Sequence, residues 1–487
     1  MPTSTDRKPP SKGDPSEGLG EANQGNGSVN LELASAESPT TALGGRLPYM
    51  KVDLRFWLAI LFGLLWVGFS AWVAIPWIES LGESITLPVA IFVIGGIALL
   101  PGYLNAFLLA SLFLDRPRSL VPVASDESRP EWPEVTLLIA TFNEESVISE
   151  TLRYALESDY PGRLSIVVAD DGSSDRTREE VGRAAEELAP DGRSVTLLSF
   201  PHRGKAPSLN RALARVDTEY LATIDADTLL TPEALRRAIG RLLNSTEQTA
   251  AVAGAVMARN SRRNWLTRLQ EWDYQLGIAA IKRSQAIWQA TLVAQGSFSV
   301  FRTPRVKEVG GWPDTIAEDI VMTWALMANG YSTSFEATAL AFTKVPEHLR
   351  QLARQRSRWA RGMIEALKAY GWKIVRRHHK STHGIVIDLL FPWMDICYTF
   401  AFLPGIILAL TGNFAIVGPL TIAVLPLNLL LFLLMFRLQR RSFGESDHVV
   451  RRNRRGFLSY VFAFQPMMSP LAVVGYLEEL FRLPRRW

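Results

Sequence analysis

The chain has 487 residues, a formal net charge of +4 and 48% hydrophobic residues, with a mean hydropathy of +0.08. Its single cysteine, Cys397, excludes an internal disulfide framework and any cysteine-rich zinc site. The ordinary apolar share averages two extremes: a polar start, and later stretches that carry no charge at all.

Residues 1–45 are rich in Ser, Gly, Pro, Glu and Asn. They cannot bury enough apolar area to offset ordering entropy, so they read as a disordered tail. The segment 54–114 holds two uncharged runs, Phe56–Ile78 and Ser84–Leu114. Each is long enough to cross a hydrocarbon core, which takes about 20 helical residues. Arg46, Lys51 and Arg55 precede the pair and Arg116 and Arg118 follow it, while only Glu79 and Glu83 lie between. The positive-inside rule then puts the N-terminus and the segment after Arg116 in the cytoplasm.

Residues 130–345 read as a soluble α/β domain. Val135–Thr141, Leu164–Ala169, Val195–Phe200 and Tyr220–Ile224 are short apolar runs that suit parallel strands covered on both faces. Helical patterns follow them at Val147–Ser158, Arg176–Glu187, Ala206–Arg215 and Pro232–Asn244. The alternation predicts a Rossmann-like sheet, with ligands beyond the carboxyl ends of its strands. Residues 346–382 read as amphipathic interface helices.

The segment 384–436 returns to the membrane as two spans. Ile396–Phe436 is uncharged and breaks at Thr411-Gly412-Asn413. The first of these spans is short unless it begins near Gly384, which would bring Asp388 and Asp395 towards the membrane. The loop 437–455 carries seven arginines, a cytoplasmic signal. The last apolar segment, 456–478, contains Pro466 and Pro470 and reads as a fifth span or a re-entrant hairpin. The basic pI of about 9.1 is thus a topology marker, and no nucleic-acid partner is expected.

The chemistry-bearing residues fall at loop positions. Asp170-Asp171-Gly172-Ser173 closes the second strand and Asp225-Ala226-Asp227 the fourth, so both acidic pairs reach one sheet edge. Carboxylates converging in a cleft repel unless a cation is present. Oxygen ligands without Cys or His favour Mg²⁺ or Mn²⁺. Lys205, at a strand-to-helix turn, suits phosphate oxygens. Glu318-Asp319 opens a helix Ile320–Asn329, and one of the two can face the cleft as a general base. In Gln355-Arg356-Ser357-Arg358-Trp359, Arg358 can neutralise a leaving diphosphate and Trp359 can stack on a sugar. The same pentad also suits an interfacial anchor.

In order, the chain carries Thr141-Phe142-Asn143-Glu144, Asp170-Asp171-Gly172-Ser173, Asp225-Ala226-Asp227, Gln295-Gly296-Ser297 leading to Arg302, Glu318-Asp319, and Gln355 to Trp359. This set resembles the processive branch of the family-2 inverting glycosyltransferases, which includes cellulose, chitin, hyaluronan and poly-N-acetylglucosamine synthases. The resemblance spans roughly residues 55–480. It implies an α/β GT-A catalytic domain inserted between transmembrane helices, a nucleotide-diphosphate sugar donor (UDP-GlcNAc or UDP-Glc) and a divalent cation. It places Thr141, Asn143, Glu144, Asp170, Asp171, Lys205, Asp225 and Arg358 at the donor, and Asp225 and Asp227 at the metal. It makes Asp319 the general base. Gly296, Ser297, Glu318, Gln355 and Trp359 fall on the acceptor side. Pro207, after Gly204-Lys205-Ala206, departs from the small residue usual there.

The implied function is a multi-pass cell-membrane enzyme with a cytoplasmic catalytic domain. It would extend a β-linked polysaccharide and couple that growth to translocation across the bilayer. The alternative is a ceramide- or diacylglycerol-type glycolipid glycosyltransferase making a single or short transfer to a lipid acceptor. A catalytically dead scaffold is disfavoured by the intact acidic motifs. The resemblance also leaves room for a small membrane partner subunit.

Overall fold

A computed structural model describes residues 50–115, 132–188, 192–377, 379–444 and 452–484. The polar tail 1–45, the arginines at 116 and 118, residues 445–451 of the basic loop and residues 485–487 lie outside the described residues.

Among the described residues, eight strands form one mixed sheet. They are β1 (Val135–Thr141), β2 (Leu164–Asp170), β3 (Arg193–Ser199), β4 (Tyr220–Asp225), β5 (Leu229–Leu230), β6 (Thr249–Ala258), β7 (Phe298–Arg302) and β8 (Ser332–Thr343). Their order is β3-β2-β1-β4-β7-β6-β8-β5. The first four run parallel, as the apolar runs predict. The sheet then extends beyond those four: β7 pairs antiparallel with β4 and β6, and β8 pairs parallel with β6.

Both faces are covered. Leu137 and Ile139 of β1, with Ile166 and Val168 of β2, pack against the helices Ile148–Leu156 and Ala234–Leu243. Leu138 and Leu221 face the other way, onto Leu209 and Leu213 of helix Lys205–Leu213 and Met322 and Leu326 of helix Glu318–Ala328. Alternate strand residues thus serve opposite layers. The result is the GT-A-type α/β fold that the resemblance implies.

Among the described residues, five helices are long and apolar enough to cross a membrane: Val52–Ser84, Leu87–Leu114, Ser381–Leu410, Thr421–Arg440 and Arg454–Leu480. Their outer faces carry large exposed apolar groups such as Trp57, Leu65 and Trp72, a surface suited to lipid. The third begins at Ser381, so Asp388 and Asp395 lie within it. The fifth is one uninterrupted helix despite Pro466 and Pro470.

Close packing joins the helices. A Cβ on Gly96 would lie 2.5 Å from Cys397 Sγ, so helix Leu87–Leu114 meets helix Ser381–Leu410 at small residues. Helix Leu349–Ala366 carries the Gln355–Trp359 pentad and docks on Arg454–Leu480, where a Cβ on Gly475 would meet the Ser357 carbonyl at 2.3 Å. Polar pairs lock that contact: Ser357 Oγ donates to Glu478 at 2.9 Å, and Arg361 Nε lies 3.1 Å from Glu479.

Candidate active site

β1 lies between β2 and β4, pairing Thr141 with Asp170 and Ala140 with Asp225. Strand order reverses there, and such a switch point leaves a crevice beyond the strand ends. A cavity of about 1220 Å³ occupies it. That exceeds the roughly 300–1,000 Å³ of a typical small-molecule site, so there is room for two substrates.

The two residues of the first acidic pair have different surroundings. Asp171 lines the cavity rim. Its Oδ1 accepts from the Arg203 amide at 2.9 Å and from Ser208 Oγ at 2.7 Å, and its Oδ2 from the Gly204 amide at 2.8 Å. Gly204 sits at φ +103°, which favours glycine, and leads into helix Lys205–Leu213. Pro207 falls in the first turn of that helix, where its missing N–H costs little. Asp170 is fully buried and does not line the cavity. It accepts from the Ser173 amide at 3.1 Å and so closes the turn. Asn143 likewise lies off the cavity: its side chain accepts from the Ser174 amide at 2.8 Å.

Lys205 is the hub of the centre. Its Nζ lies 2.6 Å from Asp225 Oδ1 and 3.0 Å from Glu318 Oε1. Burial alone would lower its pKa, but Asp225 and Glu318 outweigh that and hold it well above the ordinary lysine value. Gly296 makes room for this ammonium: a Cβ there would come within 2.8 Å of it. Burial, and then the charge of Asp225, raise the Asp227 pKa. Glu144 also lines the cavity, and burial with the neighbouring Asp227 pushes it up to about 7.

Asp319 starts helix Glu318–Ala328 and faces the cavity. Its Oδ2 accepts from the Gly296 amide at 3.1 Å and its Oδ1 from the Ile320 amide at 2.8 Å. Ser297, Gln355, Arg358 and Trp359 line the same space. Gln355 Oε1 and Thr141 Oγ1 are buried without a hydrogen-bond partner among the described residues.

Other cavity residues escape a motif search. Phe142 and His202 stack at 4.3 Å and both line the cavity beside Asp171. Lys282 is buried and donates to Gln295, which precedes Gly296 and Ser297. Burial pulls its pKa down to about 7 against the pull of Asp319. Asp388 and Phe391 of helix Ser381–Leu410 line the far end, with Met468, Ala472 and Tyr476 of helix Arg454–Leu480. These positions lie on apolar segments, where periodicity marks only a span.

The residues present fit a divalent cation. Asp225 and Asp227 offer hard oxygen donors, and a cation that keeps waters and takes phosphate oxygens needs only one or two carboxylates. No group of three ligating side chains occurs among the described residues, so a diphosphate would complete the set.

Residues 133–362 match the family described as "Glycosyltransferase like family 2". The chain is 31% identical over 284 residues to the poly-β-1,6-N-acetyl-D-glucosamine synthase of Staphylococcus epidermidis, covering 57% of this chain and 67% of that one. It is 35% identical over 238 residues to the synthase of the same name from Staphylococcus aureus strain COL, covering 49% and 56%. Among solved structures, it is similar to a mannosyltransferase of Pyrobaculum calidifontis in complex with GDP-Man and Mn²⁺. There the identity is 19% and the TM-score 0.46, over 79% of this chain and 99% of that one.

Proposed function

The chain belongs to the family-2 glycosyltransferases, and on that premise we propose that it builds a β-linked poly-N-acetylglucosamine from UDP-GlcNAc and passes the product between its own membrane helices. The observation that carries this reading is one continuous cavity. It runs from Asp225 at the sheet edge, past Trp359, to Asp388 and Tyr476 on the membrane helices. A carboxylate at the bilayer centre costs about 2.5–3.5 kcal/mol on insertion scales, so it normally faces a polar path. An exit path for a glycan is such a path. A single transfer to a lipid has no use for it.

The donor diphosphate lies against Lys205 and Arg358, with the Asp171 turn shaping the nucleotide end. Asp225 and Asp227 would hold Mg²⁺ or Mn²⁺, which when bound supplies Lewis-acid stabilisation of charge on the leaving diphosphate. Asp319 takes the proton from the acceptor hydroxyl. That oxygen forms a bond to C1 of GlcNAc from the face opposite the diphosphate. The C1–O bond breaks, its electron pair leaves with UDP, and the configuration at C1 inverts. The Gly296 and Ile320 amides keep the Asp319 carboxylate aimed during this step. The donor is a cytosolic metabolite, which suits a catalytic domain on the cytoplasmic side, as the basic flanks of the spans predict.

Purified full-length protein with Mg²⁺ or Mn²⁺ and a panel of UDP-sugars tests this reading. A long polymer from UDP-GlcNAc is the expected product. A lipid carrying one sugar, or polymer from UDP-Glc alone, overturns it.

A further inference from the structure

The seam between the catalytic domain and helix Arg454–Leu480 contains a buried ion pair that the reaction scheme does not use. Asp273, 3% exposed, opens a π-helical turn, Asp273–Ala279, directly after helix Trp265–Trp272. Such turns carry an extra residue and recur at functional sites; Tyr274, Gly277 and Ile278 of this one line the cavity. Asp273 Oδ2 meets Arg356 Nη2 at 2.5 Å. The Arg356 guanidinium lies 4.4 Å from the ring centroid of Trp359, three residues on, and 5.7 Å from that of Phe464 on helix Arg454–Leu480. One face of the indole is therefore already taken. Gly277 is required for the arrangement, because a Cβ there would fall 2.5 Å from Asp273 Oδ1.

A buried pair of this kind adds little net stability over apolar packing, since desolvation of two charges offsets their attraction. What it supplies is orientation: the planar fork of an arginine fixes a plane, which a lysine ammonium does not. We propose that Asp273 and Arg356 are positioning residues that hold the Trp359 indole as a one-sided platform for the acceptor glycan. The pair covers one ring face, so an incoming sugar stacks on the other alone, and the growing chain enters in one orientation. Arg356 and Arg358, two residues apart, thus serve different substrates: Arg358 the donor diphosphate, Arg356 the acceptor. This inference rests on the proposed synthase reading and names the determinant of its acceptor site.

The test uses the full-length protein in lipid nanodiscs, with UDP-GlcNAc and a β-1,6-linked GlcNAc oligosaccharide as acceptor. The double variant D273N/R356M removes both charges and leaves none unpaired; R356K keeps the charge without the planar fork. Expected for the double variant is a rise of about tenfold in acceptor KM and shorter products, with donor KM changed less than about twofold. R356K should recover part of the acceptor KM. Unchanged acceptor KM and product length in a folded double variant overturn the inference, as does an equal rise in both KM values, the mark of a merely structural role. Wild-type protein that fails to elongate the oligosaccharide from UDP-GlcNAc overturns the synthase reading instead.

Discussion

The two ends of the cavity are built by different means. At the proposed donor end, charged side chains sit at the carboxyl ends of strands or in the first turn of a helix, and backbone amides hold two of them: Asp171 by the Arg203 and Gly204 amides, Asp319 by the Gly296 amide. At the acceptor end, the walls are side chains of helices that meet from distant parts of the chain, including two membrane helices. Asp388 there has no hydrogen bond or ion pair to a described residue. The donor end resembles a clamp for a fixed anion. The acceptor end resembles a passage, in which a strongly held ligand could not advance.

Substitutions at the two ends should therefore fail differently. The largest effect is expected from Asp319→Asn, which keeps the shape and removes the base. Single-turnover transfer should slow by about 10³-fold while UDP-GlcNAc still binds in a titration; near-normal transfer would remove Asp319 from the base role. Next comes Asp225→Asn, which weakens the cation site and frees Lys205. Transfer should fall by about 10²-fold, with Mg²⁺ or Mn²⁺ required at higher concentration. A metal-titration midpoint identical to wild type would contradict this. Trp359→Ala acts at the acceptor end and should raise acceptor KM by about tenfold with little change at the donor. The smallest effect is expected from Asp388→Asn, a change of about threefold in mean product length with the rate of UDP release nearly preserved. If Asp388→Asn instead stops UDP release, the passage and the reaction centre are coupled more tightly than the geometry implies.

The parallel half of the sheet was legible because its strands are short, largely apolar runs, two of which, β2 and β4, end in Asp. Strand β6 was not. Its sequence, Thr-Ala-Ala-Val-Ala-Gly-Ala-Val-Met-Ala, is poor in strand-forming residues, yet every position is buried between β7 and β8. Adjacent carboxylates posed a second limit. Asp170 and Asp171 look equivalent in sequence, but Asp170 ends β2 and turns inward to the Ser173 amide, while Asp171 lies beyond the strand and is the one that lines the cavity. Asn143 lies in the same motif and turns away to brace Ser174. The Asp273–Arg356 pair had no local signal at all, because its members belong to separate helices and meet only through tertiary packing.

The π turn at Asp273–Ala279 also sets the phase of the helix after it. One surplus residue rotates the downstream helix by about 100° relative to an unbroken α-helix. Helix Ala280–Ile287 therefore presents Lys282 to Gln295 only because that surplus residue is present. Deleting a single residue from the turn would regularise the hydrogen bonding, and it would swing Lys282 away from Gln295. The length of this turn is thus a coordinate of the candidate site, as specific as the identity of any side chain in it.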